Sequence, residues 1–327
     1  MPSIPILATP SHMPEESSWG TMENNDSHYD PEYWELWYGG YRYLKNASEE
    51  ELSERHEAIK ENLRVFWSEE RQKLSVRNVF SAWYWLRKEH LLRFEKKLRG
   101  FPATPRVILP ALVFRAAARP RKPSFGDILF RFSTTERLVR TLREGHIWLN
   151  SGSAFLDSSL GATRADDELR KTRKMFGDRT RIISAYGQES PIVGDLTLHV
   201  EAPEYFLLST SMDYHPYLFE AFGDSDCCLV IHDPETFAKR MADAVSNQLP
   251  GCDFGESAVH YFDPYEPASI DEDTDPFSAK DLSYAYQMEW RYICVPAAHL
   301  TTDHVELYLG PLHDVASLFP RSAINAA

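Results

Sequence analysis

Apolar positions change their period along this chain. From Asp30 to Leu98 they recur at helical spacing, and beyond about residue 125 they come in short alternating or continuous runs. Asp30-Pro31-Glu32 reads as a helix start, followed by Trp34, Trp37, Tyr38 and Tyr41 at helical spacing. Ser48-Glu49-Glu50-Glu51 is a capping box, and Leu52, Ile59, Leu63 and Phe66 follow on one side of the next helix. A further helix is expected from about Val76 to Leu98. The aromatic density at 33–43 and 83–85 suits core packing better than a base-stacking platform. Prolines 102, 105, 110, 120 and 123 punctuate a boundary. The organisation expected is a flexible polar arm at 1–30, a helical lobe at 31–105 and a second domain at 120–327.

In the second domain, Ile128–Phe132, His146–Asn150, Leu196–Val200, Tyr205–Ser211, Cys227–His232, Ala258–Tyr261 and Glu289–Val295 read as strands. Leu138–Glu144, closed by Gly145, and Phe237–Ala244 read as helices, and the charged stretch 164–181 as a helix followed by a loop. Many short strands with few helices between them predict an α+β fold with antiparallel or mixed sheets, not a doubly wound one.

Composition narrows the class. The chain has 327 residues, 43% hydrophobic and 13% aromatic, enough for a sizeable core. No apolar run approaches the ~20 residues of a membrane span. Met1–Glu16 has four prolines and no Lys or Arg, unlike a signal peptide. The four cysteines form no C-x-x-C pair, so buried thiols in a reducing, cytoplasmic setting are expected. The net charge of -14 is uneven. Residues 87–183 hold 22 Lys/Arg against 10 Asp/Glu, whereas 184–327 hold 5 against 24. The basic band could attract a pyrophosphate, a nucleic acid or an acidic protein, or it could pair with the acidic ends of the same molecule.

Three short motifs carry the candidate chemistry. They are Arg131 within Ile128–Ser133, Ser209-Thr210-Ser211 after Tyr205–Leu208, and Gln287-Met288-Glu289 before Trp290–Val295. They are spaced by roughly 80 residues, each on an expected strand. Arg131 offers a permanently charged planar fork to a phosphate, or is a surface arginine on an edge strand. Ser209 and Ser211 share a strand face and can hold neighbouring side chains, or they cap the turn at Asp213. Gln287 and Glu289 are expected to share a face of one strand. Glu289 is then a carboxylate beside a developing cation, or one half of a salt bridge with a basic residue on the sheet.

The ordered set resembles the Arg/Ser-Thr-Ser/Glu class of mono-ADP-ribosyltransferases. About residues 125–297 also resemble a widespread uncharacterised bacterial family linked to phage defence and toxin systems. The likeness runs through Phe130-Arg131-Phe132, His146–Asn150 to Phe155-Leu156-Asp157, Leu208–Ser211 to Tyr217–Phe222, Phe277-Ser278-Ala279-Lys280 and Gln287–Arg291. It departs at Phe155-Leu156-Asp157-Ser158, where the family's Asn and Pro are missing. The resemblance implies a mixed or antiparallel split sheet with NAD as co-substrate. It places Arg131 on the NAD phosphate, Ser209, Thr210, Ser211 and Asn150 around the pocket, and Glu289 as the catalytic carboxylate. Phe155, Tyr284 and Tyr286 are candidates to stack on nicotinamide. Gln287 in place of Glu implies an acceptor other than arginine, such as an Asn, Gln or Cys side chain or a guanine base. The implied partners are a protein or nucleic-acid acceptor and an antitoxin or regulatory protein. A plain NAD glycohydrolase and an inactive nucleic-acid- or protein-binding module are the alternatives.

Other chemistries find less support. His199, Asp213, His215, His232, Asp233 and His260 lack metal-ligand spacing, so no metal is expected. Asp253-Phe254-Gly255 lacks the rest of a kinase signature, and no Gly-rich dinucleotide fingerprint exists.

Overall fold

The computed structural model describes residues 31–68, 73–74, 79–80, 82–107, 128–157, 166–175, 177, 182–190, 192, 194–266, 275–298 and 302–322. The arm at 1–30 with its Asp30 cap, residues 75–78, and prolines 110, 120 and 123 lie outside them. Helices α1 (Pro31–Tyr41), α2 (Glu49–Arg64) and α3 (Ala82–Leu98) come first, with the two-residue strands β1 (Trp67–Ser68) and β2 (Lys73–Leu74) between the last two. The start of α2 is a reciprocal capping box. The Glu51 N–H donates to Ser48 Oγ at 3.1 Å, and the Ser48 N–H donates to Glu51 Oε2 at 2.6 Å. Leu52, Ile59, Leu63 and Phe66 are all buried, as their spacing predicts.

The chain continues through β3 (Leu129–Ser133), α4 (Thr135–Glu144) and β4 (His146–Ser151), then a 3-10 turn at Ser153–Leu156. Strands β5 (Arg170–Met175), β6 (Ile182–Ile183), β7 (Glu189–Ser190), β8 (Leu196–Glu201) and β9 (Phe206–Ser211) follow. Next come α5 (Tyr217–Ala221), β10 (Cys227–Ile231), α6 (Pro234–Gln248), β11 (Cys252–Ala258), β12 (His260–Phe262) and β13 (Ala279–Asp281). A 3-10 turn at Leu282–Gln287 leads into β14 (Glu289–Pro296), and β15 (His304–Tyr308) and β16 (Ala316–Pro320) close the series. Helix α4 ends because Gly145 takes φ 67, a left-handed conformation that glycine adopts without strain.

An α+β architecture built on a large antiparallel sheet results. Eight strands run β11-β14-β9-β3-β10-β16, with β4 and β15 branching from β9. The sheet forks at β9. One edge of β9 pairs with β14 along its length, while the other meets β4 at Phe206 and Leu207 and β3 only at Ser211. Side chains alternate between two cores. Leu129, Leu229, Leu208, Tyr292 and Cys294 face α4 and α6. Phe130, Phe132, Cys228 and Val230 face α1, α2, α3 and α5. The N-terminal helices thus share one continuous core with the sheet. Among the described residues no helix is long and apolar enough to cross a membrane.

Two local expectations fail. The charged stretch read as a helix from 164 forms strand β5, paired with β8 from Arg170↔Glu201 to Met175↔Leu196. Its charges obey a period of two, with Lys171 and Arg173 buried and Arg170 exposed. Buried acids and an aromatic ring receive the inward cations: Lys171 meets Glu168 at 3.2 Å, and Arg173 lies over Phe262. The expected strand Ala258–Tyr261 is instead a junction. β11 ends at Ala258, and β12 leaves the large sheet to pair in parallel with β13.

Candidate functional site

Strand β14 alternates sharply. Trp290, Tyr292 and Cys294 enter the α4–α6 core. Glu289 and Arg291 lie opposite Ser211 and Ser209 of β9, on the other face. Gln287 is not on this strand, contrary to the expectation. It ends the 3-10 turn, and Met288 between it and Glu289 takes φ 47. That left-handed residue is buried, so the turn is held by packing. The side chains still converge, because Lys280 Nζ donates to Glu289 Oε1 at 2.6 Å and to Gln287 Oε1 at 3.2 Å.

Glu289 sits inside a buried charge cluster and is 5% exposed. Arg291 Nε donates to its second oxygen, Oε2, at 2.9 Å, and Ser209 Oγ donates to the same atom at 3.2 Å. The Glu289 N–H donates to the Tyr261 hydroxyl at 2.9 Å. Arg291, fully buried, also donates to Glu168 Oε1 at 2.7 Å and to the Phe277 carbonyl at 3.1 Å. Lys171 reaches Glu168 at 3.2 Å and Asp166 at 3.8 Å, and Lys280 lies 3.5 Å from Glu168. Three carboxyl groups therefore face three cations, which is what makes their burial tolerable. Burial by itself raises the Glu289 carboxyl, but Lys280 and Arg291 outweigh it and hold the group below its usual range. Glu168 is likewise held low, by Arg291, Lys280 and Lys171 against burial. Asp166 is the exception: burial and the Glu168 charge raise it.

The structure separates the expected site residues into groups. Ser209, Ser211, Asn150 and Glu289 share one face by register. Ser211 Oγ lies 2.8 Å from both the Gln287 and Asp213 carbonyls, which share its single proton, and so ties β9 to the turn before β14. Thr210 lies on the other face, its Oγ1 donating to the Trp290 carbonyl at 3.0 Å. Arg131 is opposite Leu229, on the α4–α6 face and away from Glu289. Its Nη1 donates to the Ser209 carbonyl at 3.0 Å, where it braces the fork. Phe155 packs with Tyr205, Leu207 and Ile293 in a third small core. Tyr284 lies under Lys280 Nζ, 4.5 Å from its ring centre. The Tyr286 hydroxyl meets Gln287 Nε2 at 3.5 Å.

Tyr284, Tyr286 and Asp166 open onto a cavity of about 930 Å³ between α2 and the segment Asp281–Tyr286. Comparison with known proteins finds no family model, no curated protein and no solved structure that matches the chain. Geometry alone therefore carries the functional reading. Among the described residues no group of three or more His, Cys, Asp or Glu side chains gathers as for a metal ion.

Glu168 and Asp166 escaped the sequence reading because they lay in the stretch taken for a helix. Lys280 and Arg291 stood within the quoted motifs Phe277–Lys280 and Gln287–Arg291 without a role. Two cations flanking a strand-borne Glu near an aromatic run were the available signal, and only the folded structure shows that both reach that Glu.

Proposed function

We propose that the chain is a mono-ADP-ribosyltransferase with Glu289 as its catalytic carboxylate. The observation that carries this reading is the meeting of Ser209 with Glu289, which also shares Lys280 with Gln287, behind the Tyr284 and Tyr286 side chains that line the cavity. NAD would enter as a substrate. Its nicotinamide–ribose end suits the residues present, with Tyr284 and Tyr286 for stacking and an ionised Glu289 for the oxocarbenium charge. Its phosphate end does not suit Arg131, which faces the other side of the sheet. In the reaction the N-glycosidic bond breaks, nicotinamide leaves with the bonding electrons, and an acceptor lone pair closes on the ribose carbon as the acceptor's proton is released to solvent. Lys280 and Arg291 keep Glu289 ionised, but they also occupy both its oxygens, so one of those contacts must yield before a ribose is engaged. Ser209 orients the carboxylate and Gln287 directs a non-arginine acceptor.

That saturation favours a second reading, in which the cluster is a structural keystone of a binding module. Incubation with labelled NAD and separate protein and nucleic-acid fractions decides between them. Transferase activity predicts label transfer that Glu289→Gln lowers by about 10²–10³-fold. Absence of both NAD consumption and transfer with every fraction overturns it. Nicotinamide release without labelled macromolecule would make water the acceptor.

A further inference from the structure

Three strands, β11, β15 and β16, form the outer edges of the large sheet, and they are finished differently. On β15 the Gln248 side chain takes the place of a neighbouring strand. Its amide donates to the Tyr308 carbonyl at 2.8 Å and accepts from the Tyr308 N–H at 3.0 Å. The Thr302 hydroxyl donates to the His304 carbonyl on the same edge at 2.9 Å. On β16 the edge ends at Pro320, which has no N–H to offer, and the Ala316 N–H donates to the Leu312 carbonyl. Strand β11 has no such closure. At its two ends the Ala297 N–H donates to the Gly251 carbonyl and the Val259 N–H to the Glu289 carbonyl. Antiparallel pairing alternates, so Asp253, Gly255 and Ser257 bond β14, and Phe254 and Glu256 turn their N–H and C=O groups outward. No described residue bonds those four groups. Gly255 between them keeps the approach clear, with no atom within 4 Å of where a Cβ would stand. Side chains decide what such an edge can receive. Asp253 and Glu256 project to opposite faces, and neither has a basic group at ion-pair distance among the described residues. Phe254, half-buried, stacks on Tyr292 with ring centres 6.3 Å apart.

We propose that the outer edge of β11 docks an extended, lysine- or arginine-bearing segment of a partner protein, which adds to the sheet as a further strand. The ladder through Phe254 and Glu256 supplies the attachment, and any extended backbone can make it. Charge supplies the choice. Basic side chains on the incoming strand meet Asp253 on one face and Glu256 on the other, whereas acidic ones meet like charge. A second copy of this chain would bring two further carboxylates to the same ribbon. The edge lies on the side of β14 away from β9 and contributes nothing to the tyrosine-bearing cavity, so the assignment stands whether or not the chain turns over NAD.

The test titrates the full chain with three labelled hexapeptides: one of alternating lysine and valine, its glutamate counterpart, and the lysine peptide N-methylated throughout. Fluorescence anisotropy reads binding, and amide hydrogen exchange reads its place. Saturable binding of the lysine peptide is expected, with the other two weaker and exchange slowed at the Phe254 and Glu256 amides. Asp253 is exposed, so Asp253→Lys should keep the fold. It should weaken the lysine peptide by ~3- to 10-fold and tighten the glutamate peptide. Glu136→Gln, on α4, should bind as the parent does. No saturable binding, equal binding of the three peptides, an unchanged preference in Asp253→Lys, or protection that spares Phe254 and Glu256 would each overturn the proposal. Protection of those two amides without peptide, together with a concentration-dependent dimer in ultracentrifugation, would give the edge to a second copy and overturn it equally.

Discussion

Lys280→Met removes one cation from the buried cluster and leaves three carboxyls facing two bases. Lys280 touches Glu289 at 2.6 Å, Gln287 at 3.2 Å and Glu168 at 3.5 Å. At an effective dielectric of ~20 the first contact alone is worth about 6 kcal/mol before desolvation is counted. The loss does not reach that figure, because the cluster can take up a proton instead. Neutralising an ordinary carboxylate of pKa ~4.3 at pH 7 costs about 4 kcal/mol, which caps the electrostatic part. Breaking a buried pair from one side costs about 3–5 kcal/mol in general, so the two figures agree. At pH 5 the same cap falls to about 1 kcal/mol. The proton should settle on Asp166, whose carboxyl burial and Glu168 already raise. Urea denaturation followed by circular dichroism at pH 7 and pH 5 measures both losses. A penalty below 1 kcal/mol at pH 7, or one equal at the two pH values, would refute the picture of a charge-balanced buried cluster.

Ser48→Ala removes one half of the α2 capping box and should cost ~1 kcal/mol in the same urea assay. Gly145→Ala should cost at least about 2 kcal/mol, since φ is 67 and the new methyl meets the Gly310 backbone; a thermal melt will show it. Acid should unfold the chain through Glu168, Glu289 and Asp263, whose carboxyls are held below their usual range. Their contribution is complete above the ordinary carboxylate value of ~4 and fades as pH falls below it, with Asp166 working in the opposite sense; stability measured from pH 7 to pH 2 tests the sign.

Much of the scaffold was legible in the sequence because it is local. The Ser48 box, the apolar stripe Leu52–Phe66 and the strand alternation of Trp290, Tyr292 and Cys294 depend on neighbours within a few residues. The basic band was legible as charge but not as pairing. Lys88 reaches Asp263 at 2.7 Å across the fold, a partner that no local period reveals. Strand β5 misled for a related reason, because paired buried charges look the same in sequence as solvated ones.

The candidate site divides in the same way. Sequence alone determined that Ser209 and Ser211 share a face, because strand alternation is built into the backbone. Tertiary structure decided the rest. The single β3–β9 bridge at Phe130↔Ser211 set Arg131 on the far face, and the left-handed Met288 brought Gln287 back beside Glu289. Register between strands and the packing of one buried turn are long-range properties, fixed only when the two cores close on either side of the sheet.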